Sequence, residues 1–408
     1  MQKIAGAYRR LLLRRPRLVV VIGSLGKTTT KAAITTALDC PDRGFSYSNY
    51  GSSLAENLLR VRPWDRRAVL EVGIAGPGHM AGYARMIRPD IVVVTSIKSD
   101  HNRSFPTLLD TRAEKVKMVS SLPESAIVLL NGDDPHVRWM ATQTRARVLT
   151  FGFDDGNDFR AMEYRTDAAG RTQFEIDLGG VPARITSALH GRHMVYPMLA
   201  AAVVAHLEGI DIAAASDRLA RFQPQKGRME IVTTERGITI VNDSQKASIE
   251  SIYAALDAFA ELPARRKIVV LGKIEEPQGS IRHAYRDLGT RLATFADLVV
   301  AVSGDQRQAL RAAAVRAGMP FEAIRLSGGG IDGVADFLKD RLEGGDAVLI
   351  KGASAQKFAR IALQLQGHKV SCGAKLCDVK VAHCGLCPLR DAPAALFSNR
   401  YIARYFKG

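Results

Sequence analysis

The sequence predicts an α/β protein with mostly parallel sheets, and three observations carry the prediction. Short apolar runs of strand length recur at 18–22, 68–72, 91–96 and 126–130. The stretches between them have helical periodicity, so the order is strand, helix, strand. The same alternation resumes at 238–241, 268–271, 298–302 and 347–350, which predicts a second, Rossmann-like unit.

The first strand, Leu18-Val19-Val20-Val21-Ile22, runs directly into Gly23-Ser24-Leu25-Gly26-Lys27-Thr28-Thr29-Thr30. Glycines let a backbone turn tightly with its amides facing a polyphosphate, and the helix that follows presents its positive end. Gly23, Ser24, Gly26, Lys27, Thr28 and Thr29 are therefore candidate nucleotide-binding residues, with Lys27 for the terminal phosphates and the Thr28 hydroxyl for Mg²⁺. The longer G-x-x-x-x-G-K-[ST] pattern is not met, because Val21 stands where it needs glycine.

Ligands of parallel sheets bind at the carboxyl ends of strands. Glu71 closes the second run, and Ser99-Asp100-His101-Asn102 follows the third. A carboxylate and an imidazole beside a phosphate loop suit a nucleotide-bound Mg²⁺. Residues 159–188 change to short Gly-punctuated alternation, which predicts antiparallel hairpins, and helices are expected at 194–207 and 212–221. Taken singly, Lys115 between Glu114 and Lys117 reads as a solvated helix face.

Several segments resemble the Mur ligase family, and within it the D-alanyl-D-alanine-adding branch, in the family's order. These are residues 23–30; Asn49-Tyr50-Gly51-Ser52; Leu70-Glu71-Val72-Gly73 with Pro77-Gly78; 95–101; and Arg112-Ala113-Glu114-Lys115. Gly191-Arg192-His193, Gly227-Arg228, Asp243-Ser244 and Lys351-Gly352 complete the series, so the likeness spans about 17–365. It implies that ATP phosphorylates a carboxylate to an acyl phosphate, which an amine then attacks to give an amide, ADP and phosphate. It also implies catalytic roles for Lys27, Lys115 as a carbamate, His101 and Arg228. Mg²⁺ would sit on Thr28, Glu71 and His101, and His193, Asp243 and Lys351 would contact the nucleotide.

Departures accompany the matches. A G-x-H-N-x-x-N pattern becomes Gly191-Arg192-His193-Met194-Val195-Tyr196-Pro197, and D-S-Y-N-A-N-P becomes Asp243-Ser244-Gln245-Lys246-Ala247-Ser248-Ile249. Lys273 replaces the aspartate of a G-D-M-x-E-L-G segment. By the resemblance these positions help to hold the nucleoside and the incoming amine, so it implies that base recognition and the acceptor pocket are rewritten while phosphate chemistry is kept. A ligase with an altered acceptor is the first reading, and a nucleotide-binding pseudoenzyme scaffold is the alternative. Only residues 1–17 precede the first strand, so no UDP-sugar domain is expected and the donor is read as an amino acid or polycarboxylate. The basic amphipathic stretch 8–17 reads first as a lead-in helix and second as a peripheral membrane contact.

The domains predicted are 1–229 (ATP-binding), 230–366 (Rossmann-like ligase) and 367–408 (a Cys-rich tail). Four of the five cysteines fall in that tail, as Cys372, Cys377, Cys384 and Cys387, with His383 adjacent. A structural Zn²⁺ is the first expectation and an iron–sulfur cluster the second. The aromatic, basic stretch 396–406 could dock on the protein body or on a partner protein. The 57 basic and 41 acidic residues give a formal charge of +16. No nucleic-acid-binding signature accompanies it, and anionic ATP and carboxylate substrates use the same field. No apolar run reaches membrane-spanning length and no signal peptide is evident, so a cytoplasmic enzyme is expected.

Overall fold

A computed structural model describes residues 1–41, 43–44, 48–99, 104–167, 170–275, 277, 279–328, 330–372 and 383–391. The chain divides into two compact units, Met1–Gln223 and Pro224–Gly408.

In the first unit the strands are β1 (Arg17–Ile22), β2 (Arg67–Glu71), β3 (Ile91–Val94), β4 (Ile127–Asn131), β5 (Arg147–Gly152), β6 (Phe159–Thr166), β7 (Thr172–Asp177) and β8 (Pro182–Ser187). They form one sheet in the order β2-β1-β3-β4-β5-β6-β7-β8. Strands β1 to β6 pair in parallel, and β6, β7 and β8 form the expected antiparallel meander. The helices are α1 (Gln2–Leu11), α2 (Lys27–Ala37), α3 (Gly51–Arg60), α4 (His79–Ile87), α5 (Leu108–Ser120), α6 (Pro135–Arg138), α7 (Val195–Leu207) and α8 (Ile212–Ala220). Val19, Val20 and Val21 of β1 are fully buried, as a central strand covered on both faces requires. β2 and β3 flank β1, so the chain leaves β1 at the point where strand order reverses, the place where such sheets bind their ligands.

The segment 1–17 is part of this unit. Tyr8 donates its hydroxyl to Val61 O at 2.7 Å, and Arg9 binds Ile87 O at 3.0 Å and the Asp90 carboxylate at 3.0 Å. Helix α1 packs on α3 and α4, which bury Ala5 and Gly6, while Ile4, Leu11 and Leu12 are exposed. Among the described residues no helix is long and apolar enough to cross a membrane.

The second unit holds β9 (Glu230–Thr233), β10 (Thr239–Asp243), β11 (Lys267–Leu271), β12 (Leu298–Ala301), β13 (Ile324–Leu326) and β14 (Ala347–Lys351). Their order is β13-β12-β11-β14-β10-β9, parallel except for β9. Helices α9 (Ile249–Glu261), α10 (Ile281–Leu292), α11 (Arg307–Arg316), α12 (Gly330–Lys339) and α13 (Ala359–Leu365) complete it. Its core gathers Ile240, Val270, Val300, Leu338, Ile350 and Ile361. Asp243 and Lys351 occupy paired positions at the ends of β10 and β14.

Candidate active site

The loop after β1 is shaped by its glycines and held from below by the neighbouring strand. Gly23 has φ +139° and Gly26 has φ +81°. A Cβ on Gly23 would overlap the Thr95 hydroxyl. The Ser24 amide donates to Ser96 O at 2.7 Å, the Leu25 amide to Ser96 Oγ at 3.1 Å, and Thr95 Oγ1 to Leu25 O at 2.6 Å. Asn131 at the end of β4 in turn donates to Thr95 O at 2.8 Å. Gly26 is the N-cap of α2 and offers no side-chain cap, so the first amides of that helix are left for an anion. Lys27 curls back and donates to Ser24 O at 2.8 Å, and Thr28 beside it is half-buried.

Two further predicted residues meet this loop. Glu71 ends β2 in register with Val21, two residues before Gly23, and accepts a 2.6 Å bond from Asn49 Nδ2. Asn49 is anchored by the Gly73 amide, which donates to Asn49 O at 2.8 Å. Lys115 is 2% exposed, so the reading of a solvated helix face is overturned. Its Nζ donates to Gly23 O at 2.6 Å and lies 3.0 Å from Ser24 Oγ.

The aim of Lys115 follows from how α5 is fixed. Thr107 and Asp110 form a capping box at the start of that helix. One turn later the Glu114 carboxylate accepts from the Gly78 and Met80 amides at 2.9 and 2.8 Å, capping α4. Burial works against that charge, but the Lys117 ammonium and the two amides outweigh it and hold the carboxyl below its usual range. With Glu114 clamped on α4, the next residue is directed at the phosphate loop. His101 lies outside the described residues.

The segment 191–197 is bound to the ends of β4 and β5 by residues that sequence reasoning noted only as departures. Asp133 accepts from Tyr196 Oη at 2.8 Å, the Phe153 amide at 2.6 Å and Asn157 Nδ2 at 2.7 Å. The Arg192 guanidinium lies 3.8 Å from the Phe153 ring centroid. His193 sits in the single 3-10 turn Arg192–Met194, half-buried, and Met194 is buried.

In the second unit Lys351 is 1% exposed and its ammonium pairs with the Asp243 carboxylate. Asp243 also accepts from the Met229 amide at 3.2 Å, which ties β10 to the turn carrying Gly227 and Arg228. Arg228 is half-buried on that turn, and Lys273 is exposed. The segment 245–248 is held by Glu275, whose carboxylate accepts from the Ala247 amide at 2.9 Å.

The Cys-rich tail is described only in part, at 367–372 and 383–391. Among the described residues no group of three or more His, Cys, Asp or Glu side chains is arranged to hold a metal ion. Cys372, Cys384 and Cys387 are half-buried and outside any disulfide, and Cys377 lies outside the described residues. Cys372 Sγ accepts from Arg360 Nη2 at 3.2 Å, while His383 turns inward, away from a ligand role. Cys40 is a separate thiol that burial pushes up to about 11, which makes it unreactive.

A glycine-shaped loop at the switch point of a parallel sheet, with a lysine, a threonine and a carboxylate gathered on it, defines a nucleotide-using α/β enzyme. Residues 21–205 match the Mur ligase middle domain, and residues 227–354 match the Mur ligase, glutamate ligase domain. The chain belongs to the Mur ligase family and is an ATP-dependent, ADP-forming acid–amino-acid ligase of that type. UDP-N-acetylmuramoyl-tripeptide–D-alanyl-D-alanine ligase of Mycobacterium tuberculosis H37Rv is 29% identical over 369 residues, which cover 85% of this chain and 72% of that one. The ligase of the same name from Escherichia coli K12 is 27% identical over 259 residues, covering 62% and 57%. The fold is that of MurF from Acinetobacter baumannii, with TM-score 0.76, 19% identity and coverage of 90% and 80%. MurF ligase from Thermotoga maritima, solved in complex with ADP, gives TM-score 0.76, 22% identity and coverage of 90% and 82%.

Proposed function

We propose that this enzyme joins a carboxylate to an amine through an acyl phosphate. A carboxylate oxygen attacks the γ-phosphorus of ATP and ADP leaves. The amine then attacks the acyl carbon, phosphate departs with the C–O electron pair, and the amine loses a proton as the amide forms. The observation that carries the reading is the joint support of the phosphate loop by Lys115 from α5 and Thr95–Ser96 just after β3, with Glu71 at the adjacent strand end.

In this reading Lys27 and the first amides of α2 hold the phosphates, where positioning and charge supply most of the catalysis. The oxygen donors Thr28 and Glu71 suit Mg²⁺, with His101 as a third group, and the ion when bound neutralises phosphate charge. Lys115, fixed against the loop, acts as a carbamate. Arg228 neutralises the transferring phosphoryl group, and Asp243, Lys351 and His193 help to hold the nucleotide. The two relatives named above are ligases of UDP-N-acetylmuramoyl acids. A donor screen therefore includes UDP-muramoyl-tripeptide with D-alanyl-D-alanine beside the free amino acids and polycarboxylates expected from the sequence. ATP-dependent phosphate release with one acid and amine pair supports the proposal. Tight ATP binding without turnover for any pair supports the scaffold alternative.

The tail is proposed to take one structural Zn²⁺ on Cys372, Cys377, Cys384 and Cys387. Its support is the backbone: Ser371 and Cys372 amides donate to Arg390 O at 3.0 and 3.1 Å, and the Arg390 amide donates to Cys387 O at 3.1 Å. These bonds bring both ends of the cysteine series to one turn, and four thiolates suit a closed tetrahedral site. Protein purified without oxygen is expected to carry one zinc per chain by metal analysis. Iron with acid-labile sulfide, or neither metal, contradicts this.

A further inference from the structure

The turn that carries Arg228 is a strained piece of backbone. Gly227 has φ +73° and Met229 has φ +50°, so a left-handed residue stands on each side of Arg228. For methionine that conformation is unfavourable and persists only where its surroundings impose it. The surroundings are specific. The Arg228 amide closes the turn on Gln225 O at 3.0 Å, the Gly227 amide donates to Glu230 Oε2 at 3.1 Å, and the Met229 amide donates to Asp243 Oδ1 at 3.2 Å. Lys226 reaches Glu230 Oε1 at 2.6 Å.

Gln245, whose Cγ would lie 3.0 Å from a Cβ on Gly227, and a residue from the tail together cover the remaining face of the turn. His383 is 4% exposed, and a Cβ built on Gly227 would come within 3.1 Å of its Cδ2. Asn242 Nδ2, on the strand position before Asp243, lies 3.2 Å from His383 Nε2 and 3.1 Å from Glu230 Oε2. On the other side of the ring the Gly385 amide lies 3.0 Å from Nδ1. One imidazole thus abuts Gly227 and, through Asn242, the carboxylate that holds the Gly227 amide. A neutral imidazole accepts at one nitrogen only, and the Gly385 amide takes that place at Nδ1.

We propose that His383 is a positioning residue: the tail inserts it as a strut that holds the 225–229 turn, and with it Arg228, in the conformation the ligase reaction uses. The proposal rests on the ligase reading for the role of Arg228. It gives the tail a function in the site and does not require the tail to bind metal.

The test uses the full chain with His383→Ala, His383→Gln, Arg228→Ala and the double variant His383→Ala/Arg228→Ala. His383→Ala is expected to lower kcat about 10- to 100-fold. Glutamine can place a polar atom near the Nε2 position, so His383→Gln should recover part of the loss. If His383 acts through Arg228, the double variant is no slower than Arg228→Ala alone, whereas independent roles would multiply the losses. Amide hydrogen exchange over 225–230 should accelerate in His383→Ala, a readout that does not depend on turnover. An unchanged kcat, multiplied losses, or unchanged exchange over that turn overturns the strut. A wild-type protein without turnover defeats the ligase reading, and the exchange measurement then still decides the strut.

Discussion

Lys27→Ala is expected to lower the rate of ADP formation by about 10³-fold, the scale on which removal of a preorganised charge at a transferring group is felt. Lys27 stands at the first position of α2, half-buried, and its ammonium bends back over the loop to Ser24 O. It serves the phosphates and not the core, so the thermal midpoint should stay close to that of the wild type. Steady-state ADP formation beside a melting curve checks both halves. A variant that turns over normally would remove Lys27 from the mechanism, and one that unfolds would make it a structural residue.

Gly23→Ala should damage both stability and nucleotide binding. Its backbone sits at φ +139°, and a Cβ there would overlap Thr95 Oγ1 and press on Ser96 N and O at 3.0 and 3.1 Å. Thr95 and Ser96 are the residues that support the loop, so relief of the clash must displace the support itself. Backbone strain and overpacking together amount to about 2–5 kcal/mol. Gly51→Ala is the matched control, because Gly51 also has positive φ, +61°, yet nothing lies within 4 Å of its added Cβ. Denaturant unfolding should show a much larger loss for Gly23→Ala than for Gly51→Ala, and ATP binding should fail only in the former. Equal losses would mean that the close approach to Thr95 is immaterial.

The strand core was legible because buried parallel strands read as continuous β-branched runs, and the glycines, lysine and threonine after β1 mark a loop whose chemistry is local. Strand β9 was not foreseen, since Glu230–Thr233 is a four-residue edge strand with a glutamate at its head. The environment of Lys115 was hidden for a different reason. Glu114 and Lys117 flank it and suggest solvent, but Glu114 is buried as the cap of a neighbouring helix, a partnership between residues 34 and 36 positions apart. The Asp133 hub was also missed. Its signal is the run Asn131-Gly132-Asp133-Asp134-Pro135, turn residues followed by proline at the first position of a helix, directly after an apolar strand. His383 reads in sequence as a neighbour of cysteines, and its partners Gly227, Glu230 and Asn242 lie far away in the chain. Such long-range pairings leave no periodic trace.

Product analysis of ATP turnover tests the central claim most directly. Purified protein is incubated with ATP, Mg²⁺ and a matched acid and amine pair, and nucleotide, phosphate and amide are quantified together. The acyl-phosphate ligase predicts ADP, phosphate and amide in equal amounts, with little ADP when either the acid or the amine is left out. Formation of AMP and pyrophosphate in place of ADP and phosphate would contradict it.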